Sequence, residues 1–193
     1  MPKRYASIDI GTNTLRLLIA EYATSSHGMK PLGYKRIVTR LGGSFTDEEG
    51  IDKDSAERTF QALEEFKRDI EAKKVDQVIA VATSAVREAK NSEWFVDEVL
   101  KRTGIKVDVI SGAEEARLSF FGVMFVLFDK SVQNKKRLVM DIGGGSTEFI
   151  ASTGVDINAM WSTELGVVHL TEKYLKSDPP TADELKALNE KIV

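Results

Sequence analysis

Residues 8–17 read IDIGTNTLRL, and residues 140–149 read MDIGGGSTEF. Superposing Asp9 on Asp141 also brings Ile10 onto Ile142, Gly11 onto Gly143 and Thr14 onto Ser146. In both copies an apolar run ends in Asp, a turn rich in Gly and hydroxyl residues follows, and a second apolar stretch begins. The pattern is that of a tight β-hairpin with a carboxylate at one strand end and backbone N–H groups in the turn. Such a turn forms an anion-binding nest, and the Asp beside it can hold a hard cation. Two of them facing each other make a phosphate clamp with a metal between its jaws.

Outward from the first copy, residues 5–10 and 15–22 are the arms of a hairpin, and residues 32–40 read as a third strand after a turn at Ser25-Ser26-His27-Gly28. Asp54 or Ser55 is expected to cap a helix reaching about Lys73, because Phe60, Leu63, Phe66 and Ile70 recur at three- and four-residue spacing. QVIAVA (77–82) has the continuous apolar character of a strand buried on both faces. Asn91 is expected to cap a helix to Arg102, with Gly104 at its C-terminal cap. Residues 105–110 form a strand and 113–128 an apolar helix. The order βββαβαβα predicts an α/β lobe with a mixed sheet, a meander joined to parallel strands by right-handed crossovers.

Residues 129–136 are polar and aperiodic and are expected to link two lobes, residues 1–128 and 129–193. Beyond them, residues 137–142, 148–152 and 159–162 read as the opening strands of a second, similar meander, and 166–175 as a helix. Thr181-x-x-Glu184 is a capping box for a last helix.

The composition of the 193 residues, 42% apolar and 30% charged, is that of an ordinary globular chain large enough for two modest lobes. A net charge of −3 supplies no general basic field, so wholesale nucleic-acid binding is not expected, and an anionic ligand must be held by local donors and cations. The absence of cysteine excludes disulfides and thiolate metal sites and fits a reducing, cytoplasmic setting. Asp9, Asn13 and Arg16 interrupt the first apolar stretch, so it reads as neither a signal peptide nor a membrane span. His27 and His169 are isolated and read as surface or satisfied core residues.

Chemistry concentrates in four blocks. In the second copy, Gly143, Gly144 and Gly145 weaken an ordinary strand but admit a bulky anion to the backbone. Ser146 and Thr147 add hydroxyl donors, while Asp141 and Glu148 bracket the turn within reach of Mg²⁺. In the first copy Thr12, Asn13 and Thr14 occupy the corresponding turn, and Arg16 lies on the strand leaving it. Thr83-Ser84-Ala85-Val86-Arg87 follows a strand directly, where ligands of α/β sheets bind, and Arg87 can fork onto phosphate oxygens. Ser111-Gly112-Ala113-Glu114-Glu115-Ala116-Arg117 occupies the matching position after the next strand. Its two acids suit a helix N-terminus. Consecutive helix residues point about 100° apart, so one of the two at most faces a site, where a carboxylate can orient and deprotonate water.

Together IDIGTNTLRLLIAE, ATSAVREA, ISGAEEARL and MDIGGGSTE resemble the exopolyphosphatase / guanosine pentaphosphate phosphohydrolase family of the actin, Hsp70 and sugar-kinase superfamily. The ISGAEEARL block makes the resemblance specific. It implies two RNase H-like lobes and Mg²⁺-dependent hydrolysis of the terminal phosphate of polyphosphate or guanosine pentaphosphate. It further implies Glu115 as catalytic base, residues 143–147 and 12–14 as the two phosphate loops, and Asp141 and Glu148 as carboxylates near the metal, with Asp9 a third. Arg87 corresponds to an arginine along the phosphate path, and Arg16 is assigned the same role. The family extends past Val193, which makes residues 129–193 the opening of a second lobe. The competing readings are an ATP-dependent kinase or ATPase of the same superfamily and a non-catalytic sensor of guanosine tetra- or pentaphosphate. A homodimer is left open.

Overall fold

The computed structural model describes residues 2–23, 28–43, 50–127 and 135–193. Residues 25–27 of the expected turn and most of the expected linker, 129–134, lie outside the described residues. The chain divides into two compact units, Met1–Val109 and Ile110–Val193.

Unit 1 opens with three antiparallel strands, β1 (Lys3–Ile10), β2 (Thr14–Ala23) and β3 (Gly28–Val38). Helix α1 (Lys53–Ala72) leads to β4 (Gln77–Ala82), which pairs with β1 in parallel. A single turn, α2 (Ser84–Arg87), and helix α3 (Ser92–Thr103) then lead to β5 (Val107–Val109), parallel to β4. The resulting mixed sheet runs β3-β2-β1-β4-β5, the α/β architecture with a five-stranded sheet and flanking helices that the element order predicts.

Its core joins Ile8, Ile10, Leu15, Leu17 and Ile19 of the strands to Phe60, Leu63, Phe66 and Ile70 of α1 and Phe95 and Val99 of α3. The period-3.6 stripe of α1 is therefore the surface that meets the alternating residues of the sheet. Phe60 stacks on Phe95 with ring centroids 5.2 Å apart.

Three expectations are corrected in this unit. Strand β4 is buried on one face only: Ala80 and Ala82 point into the core, while Ile79 is 52% exposed. A continuous apolar run reports composition and cannot say which faces are covered. The cap of α1 is Asp52, whose carboxylate accepts from the Ser55 N–H at 2.9 Å. Asn91 does occupy the N-cap position of α3, but its side chain makes no cap bond. Its amide instead clasps Ile51, accepting from the N–H and donating to the carbonyl, both at 2.9 Å. Gly104 closes α3 in the left-handed region, φ 73°, as glycine at that position should.

Unit 2 contains helix α4 (Gly112–Val126), the antiparallel meander β6 (Lys136–Ile142), β7 (Thr147–Thr153) and β8 (Asp156–Thr163), then α5 (Val167–Tyr174) and α6 (Ala182–Ile192). Ala116, Phe120 and Met124, one stripe of α4, pack with Ile150 of β7 and with Val139 and Ile157. Helix α4 thus belongs to this unit, because its apolar stripe is spent on the second sheet. The expected capping box of α6 is present, with Thr181 and Glu184 bonded reciprocally. Among the described residues no helix is long and apolar enough to cross a membrane.

Candidate functional site

The two copies of the repeated pattern fold into the same turn. In the first, the Gly11 N–H donates to the Thr14 carbonyl at 3.1 Å; in the second, the Gly143 N–H donates to the Ser146 carbonyl at 2.9 Å. A Cβ on Gly11 would sit 3.1 Å from the Thr14 oxygen, and one on Gly143 would sit 3.0 Å from the Ser146 oxygen. A side chain at either place would be tight against the backbone oxygen of its own turn, because the turn folds back on itself.

Each turn is also held from behind by its carbonyls. Gly42 donates to Thr12 O at 2.8 Å, and Thr39 and Arg40 donate to Asn13 O at 3.2 and 3.1 Å. In unit 2 the start of α5 does the same work: Val167 donates to Gly143 O at 3.0 Å, and Val168 and His169 donate to Gly144 O at 2.8 and 3.2 Å. A trans peptide points its N–H opposite to its C=O. The amides of Asn13, Gly144 and Gly145 are therefore directed away from the segments that hold these carbonyls, which is the arrangement an anion nest needs. Thr12, Thr14, Ser146 and Thr147 are all buried, and the Thr12 hydroxyl donates to Ser84 Oγ at 3.4 Å, tying the first turn to the loop that carries Arg87.

The copies differ at one decisive aligned position. Opposite Asp9 in the ladder stands Arg16, and the two form an ion pair at 3.2 Å. Opposite Asp141 stands Glu148. The first turn is thus flanked by a neutralised pair and the second by two carboxylates on one face of the sheet, an unfavourable pairing unless something positive joins them. Glu148 is 1% exposed. Its Oε1 accepts from Ser162 Oγ at 2.7 Å, and Asp141 Oδ2 accepts from Ser119 Oγ at 2.5 Å. Ser162 is Glu148's ladder partner on β8, so Asp141, Glu148 and Ser162 form one row across the three strands.

Helix α4 crosses that row. Ser119 reaches Asp141, and a Cβ on Gly112 would lie 2.8 Å from Ser162 Cβ and Oγ. Glu115 stands three residues after Gly112 and four before Ser119, the helical spacing of one face, so it shares the helix face that meets the row. Its neighbour Glu114 is engaged otherwise. Arg117 grips Glu114 with Nε at 2.8 Å and a terminal nitrogen at 2.7 Å, and this guanidinium holds the Glu114 carboxyl below its ordinary value. Glu114 is thus committed to Arg117, while Glu115 lies between Gly112 and Ser119 on the helix face that meets the row.

Among the described residues no group of three or more His, Cys, Asp or Glu side chains is arranged to hold a metal ion. Mg²⁺ needs fewer: it is commonly held by one or two carboxylates, its own waters and substrate phosphates. The all-oxygen pair of Asp141 and Glu148 fits that requirement. Asp9, committed to Arg16, fits it less well.

Arg87 is half-buried at the end of α2, with Glu88 Oε1 3.9 Å from its guanidinium. The residues that sequence reasoning overlooked are Ser119 and Ser162. Nothing in a serine's sequence context announces a carboxylate partner 22 or 14 positions away.

The Ppx/GppA phosphatase family matches residues 18–193. The chain is 37% identical over 174 residues to a bifunctional 3-dehydroquinate synthase/phosphatase of Fusobacterium nucleatum, covering 88% of this chain and 26% of that protein. It is 32% identical to a guanosine-5'-triphosphate,3'-diphosphate pyrophosphatase of Photobacterium profundum, covering 95% of this chain and 36% of that one. An exopolyphosphatase from Cytophaga hutchinsonii superposes with a TM-score of 0.86 at 33% identity, over 94% of this chain and 57% of that structure. The chain therefore spans about a quarter to a third of these curated relatives and somewhat over half of that solved structure.

Proposed function

We propose that this chain, which belongs to the Ppx/GppA phosphatase family with its RNase H-like, actin-like α/β fold, carries the base, metal carboxylates and phosphate loops of a Mg²⁺-dependent phosphoanhydride hydrolase. The substrate is a terminal phosphate on inorganic polyphosphate or on guanosine pentaphosphate. The observation that carries the reading is the crossing of α4 over the acidic row, with Glu115 between the two residues of α4 that touch it.

In this reading Glu115 accepts a proton from water, the water oxygen attacks the terminal phosphorus in line, and the bond from phosphorus to the bridging oxygen breaks. Asp141 and Glu148 would hold Mg²⁺, which when bound would neutralise charge on the phosphoryl oxygens. The amides of Gly144 and Gly145 and the hydroxyl of Ser146 donate hydrogen bonds to those oxygens, while the Thr147 hydroxyl, which donates to Leu165 O, braces the turn. Catalysis of phosphoryl transfer is largely positioning and electrostatics of this kind. Thr12, Asn13 and Thr14, with Arg16 and Arg87, form a second phosphate-contacting group. The names of the relatives support both substrates, and the choice between them is made by the assay.

The test is phosphate release by the full-length protein from polyphosphate, guanosine pentaphosphate and ATP with Mg²⁺. A positioned general base contributes about 10²–10⁴-fold, so Glu115→Gln should lose at least about 100-fold on the preferred substrate while Glu114→Gln stays near the parent rate. A Glu115→Gln protein that hydrolyses at the parent rate would remove Glu115 from the mechanism. Release from ATP alone would favour an ATPase, and binding of guanosine pentaphosphate without turnover by the parent a sensor.

A further inference from the structure

We infer that Gly166, with the first turn of α5, is the positioning element of the 143–145 turn; the inference rests on reading that turn as phosphate-binding. A run of three glycines has wide backbone freedom and cannot hold its own amides in one direction. The direction is imposed from outside. The first N–H groups of a helix have no partner within it, and α5 directs those of Val167, Val168 and His169 to the carbonyls of Gly143 and Gly144. The turn is at once the cap of α5 and the element that α5 aligns.

Gly166 is what allows this approach. A Cβ there would lie 2.2 Å from the Gly145 carbonyl carbon and 2.3 Å from both Gly144 O and Gly145 Cα. Every one of these atoms is backbone, so no side chain can swing aside to relieve the overlap. The backbone of Gly166, φ −103° and ψ 142°, is ordinary extended geometry open to any residue. The requirement for glycine is therefore steric and comes wholly from the turn. Two hydroxyls close the frame around it: Thr147 Oγ1 donates to Leu165 O, and Thr163 Oγ1 donates to Thr147 O at 3.1 Å.

Two substitutions separate positioning from bulk stability. Gly166→Ala drives the turn off its seat, at a cost to folding as well. Val167→Pro acts on the same contact through the helix N–H instead. Position 167 is the first of the helix, where proline is well tolerated, and the extended Gly166 suits a following proline. Its side chain is 53% exposed, so little packing is lost. What goes is the N–H that holds Gly143 O at 3.0 Å, replaced by a ring methylene that must push that oxygen, and the turn with it, aside.

In the full-length protein, with the substrate that the parent hydrolyses, Val167→Pro should keep the parent's far-UV spectrum and melt cooperatively at a lower temperature, while in assays held well below that temperature KM rises about 10-fold and kcat also falls. Misplacements near 1 Å cost up to about 100-fold. A mere drop in folded protein would lower apparent kcat with KM unchanged. Val167→Ala, which keeps the N–H, should match the parent. Gly144→Val, which obstructs the turn itself, reports on the underlying reading. If Gly144→Val is inactive and Val167→Pro keeps the parent's KM and kcat, the positioning role is overturned and the phosphate turn stands. If both behave like the parent, the phosphate turn falls and the positioning role with it.

Discussion

Replacing Glu148 by Gln should make the protein more stable and less responsive to Mg²⁺ in the same stroke. Glu148 is 1% exposed and faces Asp141 directly across the β6–β7 ladder. Like charges directly opposite in a sheet cost up to about 1 kcal/mol, and a buried charge adds a desolvation penalty that its hydrogen bonds offset only in part. Gln preserves shape and retains an Oε1 to accept from Ser162, now at 2.7 Å from Glu148. The substitution gives up the charge-assisted part of that bond, roughly 1 kcal/mol. It removes both the repulsion and the desolvation, and the net expectation in metal-free buffer is a gain of about 1 kcal/mol, or several degrees in melting temperature. The cation response should run the other way. In the parent, free Mg²⁺ at a hundred times its dissociation constant adds about 2.7 kcal/mol through mass action; in Glu148→Gln most of that increment should vanish. The assay is thermal unfolding of the full-length proteins across a Mg²⁺ series, beside calorimetric titration of Mg²⁺. If the variant melts lower than the parent without Mg²⁺, or keeps the parent's Mg²⁺-dependent rise, then Asp141 and Glu148 are not a carboxylate pair awaiting a cation.

Ser119→Ala should weaken Mg²⁺ binding by about 10–100-fold, the usual cost of losing a group that orients a metal ligand, because Asp141 loses its donor from α4. A Mg²⁺ titration of Ser119→Ala that matches the parent would refute this. Glu184, which accepts bonds from Ser177, Thr181 and Lys176, is held down to about 2. Because its folded value lies below its ordinary one of 4.5, the stabilisation it lends is present above that ordinary value and is lost as pH falls towards 2. Protection factors of the α6 amides, taken against the intrinsic exchange rate at each pH, should fall over that window in the parent. Glu184→Gln should show fast exchange already at neutral pH, and equal exchange in the two proteins at pH 7 would contradict the role.

Much of this fold was legible along the chain, for a physical reason particular to each element. The α1 stripe of Phe60, Leu63, Phe66 and Ile70 was readable because a helix buries one face at a fixed period. The capping box at Thr181 and Glu184 was readable because its partners are three residues apart. The turns were readable because their glycines answer to contacts within the turn itself. What failed were statements about surroundings. Whether β4 is covered on one face or two depends on elements distant in sequence.

For the candidate site the same line divides the two kinds of knowledge. The amino-acid sequence alone determined the repeated turns, the acids at their ends and the pair Glu114-Glu115, since these are local patterns of residue type and spacing. Only the tertiary structure separated the acids. It set Arg16 against Asp9 but Glu148 against Asp141, closed Arg117 on Glu114, and brought Ser119 and Ser162 to the remaining carboxylates. It also showed why Gly166 must be glycine, because the atoms that exclude a Cβ there belong to a turn about twenty residues earlier. A carboxylate's role is set by the charge and donors facing it, and those arrive through strand register and helix packing.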